Sequence, residues 1–197
     1  MSRTFGLIAF PGFEELDLVG PWEVLTMATL DTDDRVVIVA EDSGPMRCAK
    51  GMRIVPDYQF TDAPELDVVL VPGGDGTQEQ EENEVLLDYV KKVAAQAEWV
   101  TSVCTGAMLL HAAGLIRGRR VATHWGYISS LRERAPETEV VEHVRYVRDG
   151  NVVTAAGVSA GIDMTLWLVG QIFGVDHARR TQRWMEYDPA PPYAADV

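Results

Sequence analysis

The chain has 197 residues, of which 47% are apolar and 24% are charged, and its formal net charge is −13. This composition indicates one globular domain over residues 1–197, and the acidity argues against nucleic acid and anionic membranes as partners. The two cysteines form no disulfide framework, and no apolar run is as long as a signal-peptide core or a membrane span, so we expect a cytoplasmic protein.

The N-terminal half of the chain alternates apolar runs with turn signals. Apolar, β-rich runs predict three buried strands, at residues 4–10, 35–40 and 67–71. A Gly-Pro pair at residues 20–21 predicts the start of a helix that continues to residue 27, because proline suits the first helical turn. A Lys-Gly pair predicts a small hairpin over residues 46–60, and an apolar stripe predicts an amphipathic helix over residues 82–98.

The C-terminal half continues the alternation. A β-rich run predicts a strand at residues 99–103, and a stretch of good helix formers predicts a helix at residues 107–113. An Asp-Gly-Asn turn predicts a hairpin between strands at residues 139–147 and 152–155. The remaining predicted elements are a strand at 120–123 and helices at 128–134, 159–173 and 175–185, the last ended by prolines at 189, 191 and 192.

Strands that alternate with helices predict an α/β fold, with a parallel sheet and helices on both of its faces. Right-handed crossovers then bring the loops that follow the strands to one edge of the sheet. That edge collects the loop of Asp17, the Gly73-Gly74 turn, Cys104 and His124. The sequence therefore predicts one site there, assembled from four separated parts of the chain.

Cys104 is predicted to lie where a strand turns sharply into a helix. Ser102 and Gly106 flank it at two positions that must be small, as in a nucleophile elbow with cysteine in place of serine. Such a turn raises the side chain above the sheet, and the helix N-terminus behind it favours a thiolate. Taken alone, the S-x-C-x-G pattern fits an inert buried cysteine equally well. Its place between a strand and a helix favours a nucleophile.

The other candidate groups leave alternatives open. From the residues alone, Asp17 ranks equally with Glu14 and Glu15, because an acidic loop is usually solvated surface. His124 suits either a base or a hydrogen-bonded structural histidine, and the second role is favoured. The histidines lack metal-ligand spacing and the glycine turn matches no nucleotide-binding pattern, so we expect no metal and no cofactor. Cys48 is expected to be a spectator.

The chain resembles the ThiJ/PfpI superfamily of class I glutamine amidotransferase-like domains over essentially its whole length. The resemblance is carried by the segments PGFEELDLVGP (11–21), VPGG (71–74), SVCTGAMLL (102–110) and ATHW (122–125). Within the superfamily, the chain is most similar to the isonitrile (isocyanide) hydratases, through LDLVGP, TSVCTG, AAGLIRGRR, THW, YVRDGN and EYDPAPP.

This resemblance implies a flavodoxin-like fold, a homodimer, and a nucleophilic Cys104 with Asp17 as its acidic partner. It implies backbone donors from the Gly73-Gly74 turn and from Thr105, whose side chain also contributes. In PfpI-type proteases and deglycase-like members a histidine directly follows the cysteine. The chain has Thr105 at that position, which argues against a Cys–His hydrolase mechanism.

The function implied by the resemblance is a lyase that adds water to an isonitrile and releases an N-substituted formamide. An isonitrile carbon is electrophilic but has no oxygen leaving group, so it calls for a thiolate at Cys104 and a proton from Asp17, which together form a thioimidate. Gly73, Gly74 and His124 are expected around this small-molecule substrate. The Asp17 proton is expected to lower the pKa of Cys104, so that loss of Asp17 raises it.

Two other functions stay open on the sequence. One is a non-enzymatic oxidative-stress sensor in which Cys104 is oxidised. The other is a hydrolase or glyoxalase-like activity on carbonyl compounds. An assay for formamide production from isonitriles, with methylglyoxal as comparison, distinguishes the three.

Overall fold

The computed structural model describes residues 2–189, which contain eleven strands and seven α-helices. The strands are β1 (Thr4–Ala9), β2 (Arg35–Ala40), β3 (Met46–Arg47), β4 (Arg53–Ile54), β5 (Tyr58–Gln59), β6 (Val68–Val71), β7 (Trp99–Val103), β8 (Arg120–Val121), β9 (Glu139–Val140), β10 (Tyr146–Asp149) and β11 (Val152–Ala155). The helices are α1 (Glu15–Thr29), α2 (Thr77–Gln80), α3 (Glu84–Ala94), α4 (Gly106–Ala112), α5 (Ile128–Arg134), α6 (Ala160–Phe173) and α7 (Val175–Trp184), with a 3₁₀ helix at Trp125–Tyr127.

Seven of the strands form one sheet in the order β10-β11-β7-β6-β1-β2-β5. All neighbouring pairs in it are parallel except β10 and β11. The connection from β1 to β2 and the connection from β6 to β7 run in opposite directions across the sheet, so right-handed crossovers place their helices on opposite faces. Helices α1, α6 and α7 pack together, and α2, α3 and α4 form the second group. The predicted flavodoxin-like α/β architecture is confirmed.

Three neighbouring strands, β1, β6 and β7, are buried along their whole length. Helices cover both faces of this parallel region, which is why its strands read as largely apolar runs rather than as alternating patterns. Because β1, β6, β7 and β11 are parallel to one another, their carboxyl ends meet at one edge of the sheet. The segments that follow these four strands therefore lie side by side.

Helix α1 begins earlier than predicted. It starts at Glu15 rather than at the Gly-Pro pair, and Pro21 lies inside it. Proline has no N–H to donate to the carbonyl of Asp17, so the helix lacks one internal hydrogen bond there. The early start places Asp17 in the first turn of a helix instead of in a loop.

Four other predicted elements have different bounds or partners. The hairpin over residues 46–60 is the shorter pair β3–β4, whereas β5 joins the main sheet parallel to β2. Strand β8 pairs with β9 in a separate two-stranded sheet, and the strand predicted at residues 139–147 divides into β9 and β10. Helix α3 begins at Glu84, later than predicted, because Asn83 caps it by accepting hydrogen bonds from the N–H groups of Val85 and Leu86, and it ends at Ala94 rather than at residue 98.

The C-terminal end is only partly covered. Helix α7 ends at Trp184, and two of the three prolines predicted to end it, Pro191 and Pro192, lie outside the described residues. Within residues 2–189, no helix combines the length and the apolar character needed to cross a bilayer.

Candidate active site

Cys104 occupies the turn between β7 and α4, as the elbow pattern predicts. Its φ is 58°, in the left-handed region that residues other than glycine rarely adopt. Hydrogen bonds fix this conformation: the N–H of Cys104 donates to the carbonyl of Ala156 at 2.8 Å, and the hydroxyl of Thr123 donates to the carbonyl of Cys104 at 2.9 Å. The strained turn holds the thiol at the sheet edge, where the residue is only 7% exposed.

Asp17 is fully buried and lies beside the Cys104 thiol. One carboxyl oxygen, Oδ2, accepts a hydrogen bond from the N–H of Gly73 at 2.9 Å. The other oxygen, Oδ1, is buried and has no hydrogen-bond partner among the described residues. The structure thus brings together the thiol and one particular carboxyl group of the acidic segment.

The neighbouring acids have other partners. Glu14 forms an ion pair with Lys50, in the loop between β3 and β4. Oε1 of Glu15 accepts from the N–H groups of Lys50, at 2.8 Å, and of Met52. These contacts tie the β3–β4 hairpin to the start of α1, and they separate the structural roles of Glu14 and Glu15 from that of Asp17.

Burial raises the pKa of Asp17 from its ordinary value of 3.8 to about 7. The N–H of Gly73 and the Cys104 thiol favour the ionised form, and the charge of Glu14 opposes it, but loss of hydration is the largest effect. A carboxyl group in this state exchanges a proton near neutral pH.

The pKa of Cys104 is raised to about 12, first by burial and then by the negative charge of Asp17. The N–H groups of Thr105 and Val158 and the hydroxyl of Thr105 act in the opposite direction, since they donate towards the sulfur. The expected low-pKa thiol is therefore wrong for this structure: helix α4 is short, and burial beside a carboxylate outweighs its N-terminal field. Together the thiol and the carboxyl group keep at least one proton at neutral pH.

The Gly73-Gly74 turn lies against the elbow. A Cβ on Gly73 would lie 2.4 Å from the nitrogen of Thr105, so only glycine permits this approach. The N–H of Gly73 is engaged by Asp17, and the N–H of Gly74 donates to Oγ1 of Thr105 at 2.9 Å. Both N–H groups thus position the site's own side chains in this structure. Thr77, which the sequence analysis missed, lies 2.9 Å from the same hydroxyl oxygen.

His124 lies at the rim of the site rather than beside the thiol. Its Nδ1 accepts from the N–H of Gly126 at 3.2 Å, and its ring packs on Gly157, where a Cβ would come within 2.4 Å of the ring carbon Cδ2. This is the structural role that the sequence favoured, and within residues 2–189 no hydrogen bond joins His124 to Cys104 or Asp17.

Val158 is a site residue that sequence reasoning missed. It follows β11 at the same sheet edge, and its N–H faces the Cys104 sulfur. Its φ is 43°, a left-handed conformation that is costly for a β-branched residue. Nothing in the local sequence signals this conformation; only the position after a fourth parallel strand points to the segment.

The second cysteine and the acidic residues add no further centre in the described part of the chain. Cys48 is buried, and burial together with the charge of Glu15 raises its pKa to about 11. Within residues 2–189, no group of three or more histidine, cysteine, aspartate or glutamate residues is arranged to hold a metal ion.

Comparisons with known proteins agree with this geometry. The model of the DJ-1/PfpI family matches residues 4–171. The isonitrile hydratase of Pseudomonas putida is 43% identical over 193 residues, which cover 98% of this chain and 82% of that protein. A ThiJ/PfpI family protein of Pseudomonas syringae has a TM-score of 0.91 and 33% identity, covering 100% of this chain and 80% of the other. DJ-1beta of Drosophila melanogaster, at 20% identity and a TM-score of 0.81 over 95% of this chain and 100% of its own, shows the shared fold alone.

Proposed function

Because the chain belongs to the DJ-1/PfpI family, we propose that its elbow cysteine serves an isonitrile hydratase-like reaction, the addition of water to an isonitrile to give an N-substituted formamide. The observation that carries the proposal is the pairing of Cys104 with a fully buried Asp17 whose pKa is raised to about 7. The similarity to the Pseudomonas putida isonitrile hydratase supports it.

The first step adds the thiol across the terminal carbon of the isonitrile. Asp17 as a carboxylate accepts the proton of Cys104 while the sulfur attacks that carbon. The carboxylic acid so formed returns the proton to the same carbon. One C–S bond and one C–H bond form, the S–H bond breaks, and the product is a thioimidate, R–N=CH–S–Cys104. No net charge enters the buried site, which suits a thiol with a raised pKa.

The second step hydrates the thioimidate. Asp17, again a carboxylate, takes a proton from water as the oxygen attacks the thioimidate carbon. Asp17 passes that proton to the nitrogen as the C=N double bond becomes a single bond. It then takes the remaining hydroxyl proton as the C=O bond forms and the C–S bond breaks, and it returns this proton to the sulfur, so R–NH–CHO leaves and the thiol is re-formed. The N–H groups of Thr105 and Val158 stabilise negative charge on the sulfur as it attacks and as it leaves.

The surrounding contacts support these roles. The N–H of Gly73 holds Oδ2 of Asp17, which leaves Oδ1 to carry the moving proton. The N–H of Gly74 holds the Thr105 hydroxyl beside the sulfur. Each donor is fixed before substrate arrives, so little reorganisation is needed during the reaction.

The two alternative functions have weaker support. Oxidation of a cysteine proceeds through the thiolate, and the raised pKa and burial of Cys104 disfavour that form in the resting protein. A Cys–His hydrolase needs a histidine at the thiol, whereas Thr105 follows the cysteine and His124 is bonded to Gly126.

The proposal includes a homodimer in the cytoplasm. Apolar side chains of α1 and of the segment around the β3–β4 hairpin are exposed in the single chain, and a second copy would cover them: Leu16, Met52 and Val55. Sedimentation at micromolar concentration tests this, and a monomer would contradict it.

The activity is tested with purified protein, no added metal or nucleotide, and a panel of alkyl and aryl isonitriles, with formamide detected by proton NMR. We expect turnover by the wild type and none by C104A, and C48A serves as the matched control that retains it. Turnover of methylglyoxal without turnover of any isonitrile would replace the proposal with the glyoxalase-like alternative.

A further inference from the structure

A cleft of about 500 Å³ opens next to the elbow, between the 3₁₀ helix and residues 141–145. Its inner wall includes Thr123, Ala156 and Val158. Thr123 and Ala156 bond the backbone of Cys104 and Val158 faces its sulfur, so the cleft adjoins the elbow at these three residues.

The outer wall of the cleft is aromatic. Trp125 is 80% exposed, and the only ring that it approaches among the described residues is that of His124, at 5.5 Å between centroids. His124 is itself held by Gly126 and packs on Gly157, and Tyr127 lies edge-on to it at 6.1 Å. His124 thus anchors an aromatic surface in which the largest side chain, Trp125, is mostly exposed to solvent.

The charged groups that line the cleft are paired. Glu142 forms an ion pair with Arg132. Arg145 forms an ion pair with Asp163 and donates to the hydroxyl of Ser159. A charged ligand would have to displace one of these partners, whereas a neutral apolar ligand would not. Of the two histidines in the lining, His124 is held by Gly126, and His143 is 95% exposed, with its Nε2 3.8 Å from Oε2 of Glu142.

We propose that this cleft holds the nitrogen substituent of the isonitrile and that Trp125 is a specificity-determining residue for neutral, ring-sized substituents. The inference rests on the proposed function. An isonitrile is linear at its C–N–R unit, so when its terminal carbon meets the nearly buried sulfur of Cys104 the substituent must extend away from the sulfur. The adjoining cleft offers the room, and the indole face of Trp125 offers a stacking surface for a flat ring.

The test compares kcat/KM for benzyl isonitrile and methyl isonitrile in wild type, W125A and W125F. Loss of one aromatic contact should lower the benzyl-to-methyl ratio of kcat/KM in W125A about two- to tenfold, the equivalent of about 0.5–1.5 kcal/mol. W125F should recover most of the ratio, because a phenyl ring restores the stacking surface. W184A is the matched control: Trp184 is 78% exposed on α7, outside the cleft, and its loss should leave the ratio unchanged.

The outcomes separate the inference from the proposed function. Isonitrile turnover with an unchanged ratio in W125A overturns the inference and leaves the function standing. A monomer or aggregate of W125A in sedimentation, with wild type dimeric, also overturns it, because Trp125 would then be an interface residue. If the wild type hydrates no isonitrile at all, the proposed function itself fails, and the inference fails with it.

Discussion

The N–H of Gly73 donates to Oδ2 of Asp17 at 2.9 Å, and this bond joins the end of β6 to the first turn of α1. It gives a buried carboxyl group one fixed oxygen and one free oxygen. An N–H donor favours the carboxylate and burial favours the acid; burial prevails, and the pKa of Asp17 rises to about 7. Accepting and donating a proton then cost similar free energies near neutral pH, as a group that does both in one cycle requires.

The first prediction is that Asp17 makes folding stability fall as pH rises. Its pKa is raised in the folded state, to about 7 from 3.8, so its contribution is fully present below pH 3.8 and is lost as pH rises towards 7. The loss is on the order of 4 kcal/mol. D17N removes this titration. Its free energy of unfolding minus that of wild type should therefore rise by a similar amount between pH 4 and pH 8, and urea unfolding at the two pH values measures this difference. A difference that does not vary with pH would contradict the raised pKa.

The second prediction concerns activity. D17N keeps an acceptor for the Gly73 N–H but can neither take nor return a proton, so we expect kcat for isonitrile hydration to fall about 10²–10⁴-fold. Steady-state kinetics with formamide detection measures this. D67N is the control, because Asp67 accepts from the N–H of Thr4 at the opposite end of the sheet. A D17N variant with wild-type kcat would exclude Asp17 as the proton carrier.

The third prediction is the pH profile of thiol alkylation. The pKa of Cys104 is raised to about 12 and that of Cys48 to about 11, so neither should react with iodoacetamide at pH 7–8 as an activated thiol does. Because the charge of Asp17 raises the pKa of Cys104, D17N should shift the Cys104 profile to lower pH while leaving that of Cys48 in place. Mass spectrometry of the labelled peptides separates the two sites. A shift to higher pH in D17N would show that the resting Asp17 is protonated and donates to a thiolate.

The direction in which the pKa of Cys104 is shifted is one point on which the prediction from sequence and the structure differ. The sequence places Cys104 after a strand and before a helix, and this position predicts the elbow correctly. It also predicts a helix N-terminus that activates the thiol, but the balance between that field and burial depends on how deeply the side chain lies, which no local pattern encodes.

Other parts of the site also include both features that the sequence predicts and features that it does not. The largely apolar runs of β1, β6 and β7 identify buried parallel strands, and so the sheet edge could be predicted. The choice of Asp17 over its neighbours Glu14 and Glu15 could not be predicted from the residues alone. It depends on which turn of α1 faces the elbow, and α1 begins before Pro21. The left-handed Val158 is set by long-range contacts of its segment, and no sequence signal marks it.

The fourth prediction is that the Thr105 hydroxyl supports stability and activity through its hydrogen bonds to the Gly74 N–H and to Thr77. T105V keeps the shape and the N–H but removes the acceptor of the Gly74 N–H and the partner of Thr77. An unsatisfied buried donor costs about 1–3 kcal/mol, so the free energy of unfolding should fall by that amount, and kcat should fall as well. T105S, which restores the hydroxyl, should recover both. Equal activity of T105V and T105S would show that the hydroxyl takes no part in the reaction.

The last prediction tests the close approach of the glycine turn to the elbow. A Cβ on Gly73 would lie 2.4 Å from the nitrogen and 2.5 Å from Oγ1 of Thr105, so G73A must push the elbow and the turn apart. We expect a loss of about 1–3 kcal/mol in the free energy of unfolding of G73A. The loss of kcat/KM in G73A should be no larger than the loss of kcat in D17N, because the proton carrier, Asp17, remains. G44A is the matched control: no atom lies within 4 Å of its added Cβ, so stability and kcat/KM should stay at wild-type values. If G73A and G44A behave alike in urea unfolding and in kinetics, the close approach of Gly73 to Thr105 and its hydrogen bond to Asp17 do not position the site as proposed.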